Sequence, residues 1–272
     1  MNTLIIIPAR YGSTRLPGKP LAMIAGQTLL SRVVRCARAA VREEPSRASF
    51  VVATDDERIG RHAEEIGAPW VMTPATCATG TDRAREAFIK MKSEADFIIN
   101  LQGDSPFTPP AFLTAMIRSF SGQPCDLVTP VVQMTWAQLD QLREEKKTTP
   151  FTGTTALFDE KTGRAHWFSK NILPAIRKEV ALREASILSP VWRHIGLYGY
   201  SRMMLGLFAG LPEGRYEALE GLEQLRVIEN GYTIRCVPVQ TGGDKFMSGI
   251  DSPEDIVRAE ALIAAQGEPF SD

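Results

Sequence analysis

Leu4-Ile5-Ile6-Ile7-Pro8-Ala9-Arg10-Tyr11-Gly12-Ser13-Thr14-Arg15-Leu16-Pro17-Gly18-Lys19-Pro20 joins an unbroken apolar run to a loop rich in glycine and positive charge. An apolar run with no polar alternation, too short for a buried helix and stopped by proline, predicts a strand covered on both faces, as in a parallel sheet. The loop places three cations, two hydroxyls and two glycines directly beyond that strand. Gly12 and Gly18 let backbone N–H groups approach phosphate oxygens, Arg10 and Arg15 offer forked donors, and Lys19 adds a point charge. That set suits a triphosphate and the charge that develops on departing pyrophosphate. A P-loop is disfavoured: the glycine spacing is one residue too long, and Pro20 stands where that motif needs Ser or Thr for magnesium. The plainer alternative is a solvated basic loop, but such loops rarely gather this many anion-binding devices at a strand's end.

Outward from this point, apolar runs alternate with segments of helical period. Leu29, Leu30, Val33, Val34 and Ala37 mark a helix; Phe50–Thr54 a strand; Asp56 to Ile66 a helix; Trp70–Thr73 a strand; Thr81 to Lys92 a helix; Phe97–Leu101 a strand. The pattern predicts an α/β protein, a mostly parallel sheet with helices on both faces, whose ligands bind beyond the carboxyl ends of the strands. The second half changes texture. Thr154–Phe158 and Ala165–Phe168 read as a hairpin around Asp159–Gly163, part of a small lobe. The mixed-charge segment Lys170 to Trp192 reads as a mobile or dimer-forming excursion. His194–Tyr200 reads as one strand, Tyr216 to Glu229 as one helix with Leu219, Leu222, Leu225 and Ile228 inward, Tyr232–Val239 as a strand, and Ser252–Ala265 as a helix opened by Pro253, Glu254 and Asp255.

The 272 residues suffice for one large domain. Lys and Arg number 31 against 32 Asp and Glu, a net charge of -1, so no long-range field favours nucleic acid or an anionic membrane. The run at residues 4–7 is too short for a signal peptide, and no stretch reaches the length of a membrane-spanning helix, so a cytoplasmic location is expected. Cys36, Cys77, Cys125 and Cys236 lie far apart with no CxxC, which suggests neither zinc nor a disulfide framework.

Asn100-Leu101-Gln102-Gly103-Asp104 ends a strand with a carboxylate, and Ile250-Asp251-Ser252-Pro253 places another just before a helix. Taken singly, Asp251 reads as an N-cap and Asp104 as a turn former. With the basic loop they supply what Mg2+ prefers, carboxylate and phosphate oxygens with several waters retained.

In order along the chain, residues 7–20, Val-Ala-Thr-Asp at 52–55, Thr-Gly-Thr-Asp-Arg at 79–83, Asn-Leu-Gln-Gly-Asp at 100–104, Arg-His-Ile-Gly-Leu-Tyr-Gly-Tyr at 193–200, Leu-Glu-Gln-Leu-Arg at 222–226 and Asp-Ser-Pro-Glu-Asp at 251–255 resemble the 3-deoxy-manno-octulosonate (Kdo) cytidylyltransferases. The resemblance spans nearly the whole chain. It implies a nucleotidyltransferase-like, Rossmann-like α/β fold, divided into a nucleotide-binding half at 1–132 and a sugar-binding and dimerisation half at 133–272, and a homodimer. It implies that Arg10, Ser13, Arg15 and Lys19 contact the triphosphate of CTP, that Thr79, Gly80 and Thr81 lie near cytosine, and that Arg83 reaches phosphate or supports the loop. Asp104 and Asp251 would hold Mg2+, and Arg10, Lys19 and Asp104 would be catalytic. Gln102, His194, Tyr198, Glu223 and Gln224 would face an acidic 2-keto-3-deoxy sugar, whose hydroxyls amide, imidazole, phenol and carboxylate groups can pair. For His194 the residues alone favour a satisfied strand histidine, and for Glu223 a solvent-facing helix position. The implied reaction is in-line attack of the anomeric hydroxyl on the α-phosphorus with loss of pyrophosphate, giving CMP-Kdo for lipopolysaccharide or capsule, by positioning and electrostatics.

Four features depart from the family pattern. Ser105 replaces a glutamate after Asp104, and Lys170 replaces an arginine in Phe168-Ser169-Lys170, a change from planar fork to point charge. The stretch Thr148–Thr155 lacks an expected lysine, and the Gly-rich loop Gln240–Gly249 looks longer than usual. These changes lie in or near the region expected to read the sugar. Two alternatives therefore stay open: the same reaction on a related acid such as 8-amino-Kdo, and a catalytically silent nucleotide-sugar binding protein. A molybdopterin-type or sialic-acid-type enzyme fits the blocks at 193–200 and 222–226 less well.

Overall fold

The computed structural model describes residues 1–13, 15–240 and 249–268. Most of the loop Gln240–Gly249 lies outside the described residues. Strand β1 (Thr3–Ala9) leads through a 3-10 turn at Lys19–Leu21 to the hairpin β2 (Met23–Ile24) and β3 (Gln27–Thr28), then helix α1 (Leu29–Glu43). β4 (Ala48–Thr54), α2 (Glu57–Glu65), β5 (Trp70–Met72), α3 (Gly80–Lys90), β6 (Phe97–Asn100), α4 (Pro110–Gly122) and β7 (Leu127–Thr135) continue the alternation. Next come α5 (Trp136–Thr148), β8 (Thr155–Phe158), β9 (Ala165–Ser169), α6 (Glu179–Ala185), β10 (Leu188–His194) and β11 (Tyr198–Ser201). The remaining described elements are α7 (Arg202–Phe208), α8 (Arg215–Glu220), α9 (Leu225–Glu229), β12 (Ile234–Pro238) and α10 (Pro253–Gln266).

The main sheet runs β5-β4-β1-β6-β11-β7-β12, parallel throughout except for β11. β1 is central, paired with β4 on one side and β6 on the other. Its Ile5, Ile7 and Ala9 pack with α1, α2, α4 and α10, while Leu4 and Ile6 pack with α3, α7 and α9. Burial on both faces explains why this strand reads as continuous apolar sequence. The far half of β7, Val131–Thr135, pairs with β10, which extends the same sheet through the antiparallel hairpin β8-β9. The hairpin turn is fixed as expected: Asp159 Oδ1 accepts from the N–H groups of Lys161 and Thr162, and Gly163 takes a positive φ.

Two readings of the sequence need correction. His194–Tyr200 is not one strand: His194 ends β10 and Tyr198 begins β11, the two pairing with different stretches of β7. Tyr216–Glu229 is two short helices, because Gly221 adopts φ 63° and ends α8; Leu219 then faces solvent at 68% exposure rather than the core. Within Lys170–Trp192, α6 is tied to α5 by Glu179 and Asp140, which together bind Arg143 and Arg183. Among the described residues no helix is long and apolar enough to cross a membrane.

Candidate active site

The basic loop is folded around Tyr11, whose carbonyl accepts from Ser13 N–H at 2.9 Å and Gly18 N–H at 3.0 Å. Gly18 has φ 70°, the left-handed region that favours glycine, and its turn sets Lys19 at the head of the 3-10 turn. Beyond β6, Gly103 passes so close to β1 that a Cβ there would lie 2.2 Å from the Pro8 carbonyl oxygen. This close approach brings Asp104 alongside the basic loop. The segment before α10 is then pinned to Asp104, since Ile250 N–H donates to the Asp104 carbonyl at 2.7 Å. The N-cap of α10 is Ser252, not Asp251; Asp255 completes the cap and accepts from the backbone N–H of Asp251 at 2.9 Å. Asp251 therefore keeps its carboxylate for other partners.

Those partners define the centre of the site. Lys19 Nζ donates to Asp104 Oδ2 at 2.9 Å and to Asp251 Oδ1 at 3.1 Å, and Arg15 Nη2 stands 3.3 Å from Asp251 Oδ1. A cavity of about 220 Å³ on one side is lined by Arg10, Ser13, Arg15, Lys19, Thr79, Gly80 and Arg83. A second, of about 270 Å³, is lined by Ser105, Thr108, Arg193, His194 and the Ile195–Leu197 turn. Gln102, Asp104 and Asp251 line both cavities. The two aspartates stand at the junction of a cation-rich compartment and a more mixed one.

In the first compartment, Thr79 caps α3 in a reciprocal box with Asp82, and Gly80 faces Gln102, whose Oε1 lies 3.1 Å from where a Cβ would be. Thr81 does not line the cavity; its hydroxyl is buried against Asn100 Nδ2 at 3.3 Å and the Tyr200 hydroxyl at 3.5 Å. Arg83 is buried, donating to Thr73 Oγ1 at 2.6 Å and Asp55 Oδ2 at 2.7 Å while forming part of the wall.

Of the residues expected to face a sugar, Gln102 and His194 line the second cavity. His194 Nε2 lies 2.9 Å from Thr129 Oγ1, which also sits 2.9 Å from the Leu197 carbonyl and 3.2 Å from that of Ile195. The single hydroxyl proton must serve a carbonyl, so this network assigns the imidazole proton to Nε2 and leaves Nδ1 as an acceptor. Burial, reinforced by the charge of Lys170, pushes the His194 pKa down to about 3, so the ring is neutral. Tyr198, Glu223 and Gln224 line neither cavity. The Tyr198 hydroxyl donates to Oε1 of the buried Gln224 at 2.9 Å, while Gln224 Nε2 and Asn100 Oδ1 have no protein partner among the described residues. Burial pushes the Glu223 carboxyl above its ordinary range.

The donor set suits Mg2+: two carboxylates converge on one ammonium, hence on one point in space. Among the described residues no group of three or more His, Cys, Asp and Glu could hold a metal. The cation's other ligands would be phosphate oxygens and water, its usual habit.

Residues 4–234 match the family model described as cytidylyltransferase. The 3-deoxy-manno-octulosonate cytidylyltransferase of Maricaulis maris is 42% identical, the alignment covering 98% of this chain and 99% of that protein. The chain belongs to the 3-deoxy-manno-octulosonate cytidylyltransferase family. The Syntrophotalea carbinolica member is 40% identical over 97% of this chain and 99% of its own length. The solved structure of a CMP:2-keto-3-deoxy-manno-octonic acid synthetase complexed with CTP superposes with a TM-score of 0.79 at 31% identity, covering 98% of this chain and all of that one. The nucleotidyltransferase-like fold expected from the sequence is therefore the fold found.

For this cytidylyltransferase-family chain, the structure adds site residues that the sequence reading left without a role. Thr108 and Arg193 line the second cavity, as does Ser105, one of the departures. The only available signal was Arg193's place in the block at 193–200. Beside the stretch Thr148–Thr155, the ammonium of Lys146 in α5 donates to the carbonyls of Thr152 and Lys170.

Proposed function

We propose that the chain joins CTP to Kdo, releasing pyrophosphate and giving CMP-Kdo. The observation that carries this reading is the convergence of Asp104 and Asp251 on Lys19 where the two cavities meet. Arg10, Ser13, Arg15 and Lys19 bind the triphosphate, Thr79 and Gly80 bound the nucleotide compartment, and Gln102 and the neutral His194 read sugar hydroxyls. Mg2+, held by Asp104 and Asp251, supplies charge neutralisation on the phosphates. The protein's own groups orient the anomeric hydroxyl toward the α-phosphorus and stabilise the leaving pyrophosphate through the cationic loop. We take the whole chain as one catalytic unit working as a cytoplasmic homodimer in lipopolysaccharide or capsule synthesis. Ser105 in the second cavity favours a second reading, the same transfer to a related acid such as 8-amino-Kdo.

Pyrophosphate release from CTP, measured with Kdo, 8-amino-Kdo and other ulosonic acids, separates the two. Turnover of none of them would refute both. Asp104→Ala should lower kcat at least about 100-fold, and unchanged turnover would remove the metal assignment.

A further inference from the structure

We propose that Asp55 and Arg58, at the start of α2, are positioning residues that grip the triphosphate loop through Tyr11. The inference rests on that loop being the triphosphate site. Tyr11 is the hub of the loop: its carbonyl ties Ser13 to Gly18, and its neighbours Arg10, Ser13 and Lys19 line the phosphate cavity. Its own backbone N–H donates to Asp55 Oδ1 at 3.4 Å, while Asp55 Oδ2 accepts from the wall residue Arg83 at 2.7 Å.

The Tyr11 ring is held as well. The guanidinium carbon of Arg58 lies 3.4 Å from the ring centroid, a cation–π contact. That guanidinium is itself fixed in a fork by Asp56, Nε to Oδ1 at 2.9 Å and Nη2 to Oδ2 at 2.6 Å, and Asp56 also caps the helix by accepting from Arg58 N–H. Along the hydroxyl-bearing edge, Gly18 packs so tightly that a Cβ would meet ring atoms at 3.2 to 3.3 Å. Neither Asp55, Arg58 nor Tyr11 lines the cavity. Their effect is to order a glycine-containing loop before nucleotide arrives, which lowers the entropic cost of binding. A surface Arg58–Asp56 pair with no such role would contribute little to anything.

Arg58 is 60% exposed, so Arg58→Ala should keep the fold. Calorimetric titration with CTP and steady-state kinetics should show CTP bound about three- to tenfold more weakly, with the KM for sugar, kcat and the melting temperature close to wild type. Tyr11→Phe should retain wild-type affinity and Tyr11→Leu should match Arg58→Ala. The double variant Arg58→Ala/Tyr11→Leu should lose no more than either single change. Wild-type CTP affinity in Arg58→Ala, or additive losses in the double variant, would overturn the proposal. A wild type that binds no CTP would sink the reading of the loop and the grip with it, whereas equal binding by wild type and Arg58→Ala sinks only the grip.

Discussion

His194 shows how burial decides a residue's chemistry. Its pKa of about 3 lies below the ordinary value of 6.5, so the unfolded chain binds a proton over that window and the folded chain does not. This contribution to stability is complete above pH 6.5 and is lost as pH falls toward 3, at about 1.4 kcal/mol per pH unit. His194→Gln should therefore lose stability less steeply than wild type between pH 6 and 4 in denaturant melts followed across pH, and its activity profile should show no imidazole inflection to remove. Gly103→Ala should abolish turnover while CTP-independent folding weakens, because the 2.2 Å approach to Pro8 forces Asp104 away from Lys19. That the cationic loop lines a cavity beyond β1 was legible from residue types alone, since glycine and cations lie close in sequence there. His194's tautomer and the orphaned Gln224 amide were not, because they depend on partners brought from other strands.

At the level of elements, α2 is packed against β5 through a glycine. A Cβ on Gly60 would lie 2.7 Å from the Trp70 ring, so Gly60→Ala, which would gain about 1 kcal/mol from helix propensity on an open face, should instead cost about 1–3 kcal/mol by overpacking. Chemical denaturation measures the sign directly. The sequence reading placed no strand between Leu101 and Thr154, although β7 crosses there, and Pro130 sits in its middle. The proline is tolerated because β11 pairs only to Val128 and β10 only from Val131, leaving a gap on that side, where the Pro130 carbonyl accepts from Ile195 N–H at 3.2 Å. The false helix at Tyr216–Glu229 has a similar cause. Leucines three apart mimic a helical stripe, and only the left-handed turn at Gly221 separates Leu219 from the buried Leu222 and Leu225.

Across the whole molecule, the last described helix is fastened to the first half by a buried arginine. Arg32, 1% exposed, donates to both carboxylate oxygens of Glu268 and to the carbonyls of Ile24 and Ala25. Glu268→Ala leaves that guanidinium with carbonyl partners only and should lower stability by about 1–3 kcal/mol in thermal melts. Nothing in the sequence paired these residues, which lie 236 positions apart. The same long reach appears in the cleft, where Lys19 meets Asp104 from 85 positions away and Asp251 from 232. Under the proposed function, a phosphate chain that draws this ammonium to itself would take it from both carboxylates at once, leaving Asp251 with Arg15; nucleotide and divalent cation would then each make room for the other, and by linkage the coupling would be reciprocal. In Lys19→Met the ammonium is gone from the start, leaving Asp251 with Arg15 and Asp104 with the Ser105 hydroxyl. Calorimetry should then find divalent cations binding the nucleotide-free variant more tightly than the nucleotide-free wild type, which acquires that affinity only in the company of CTP.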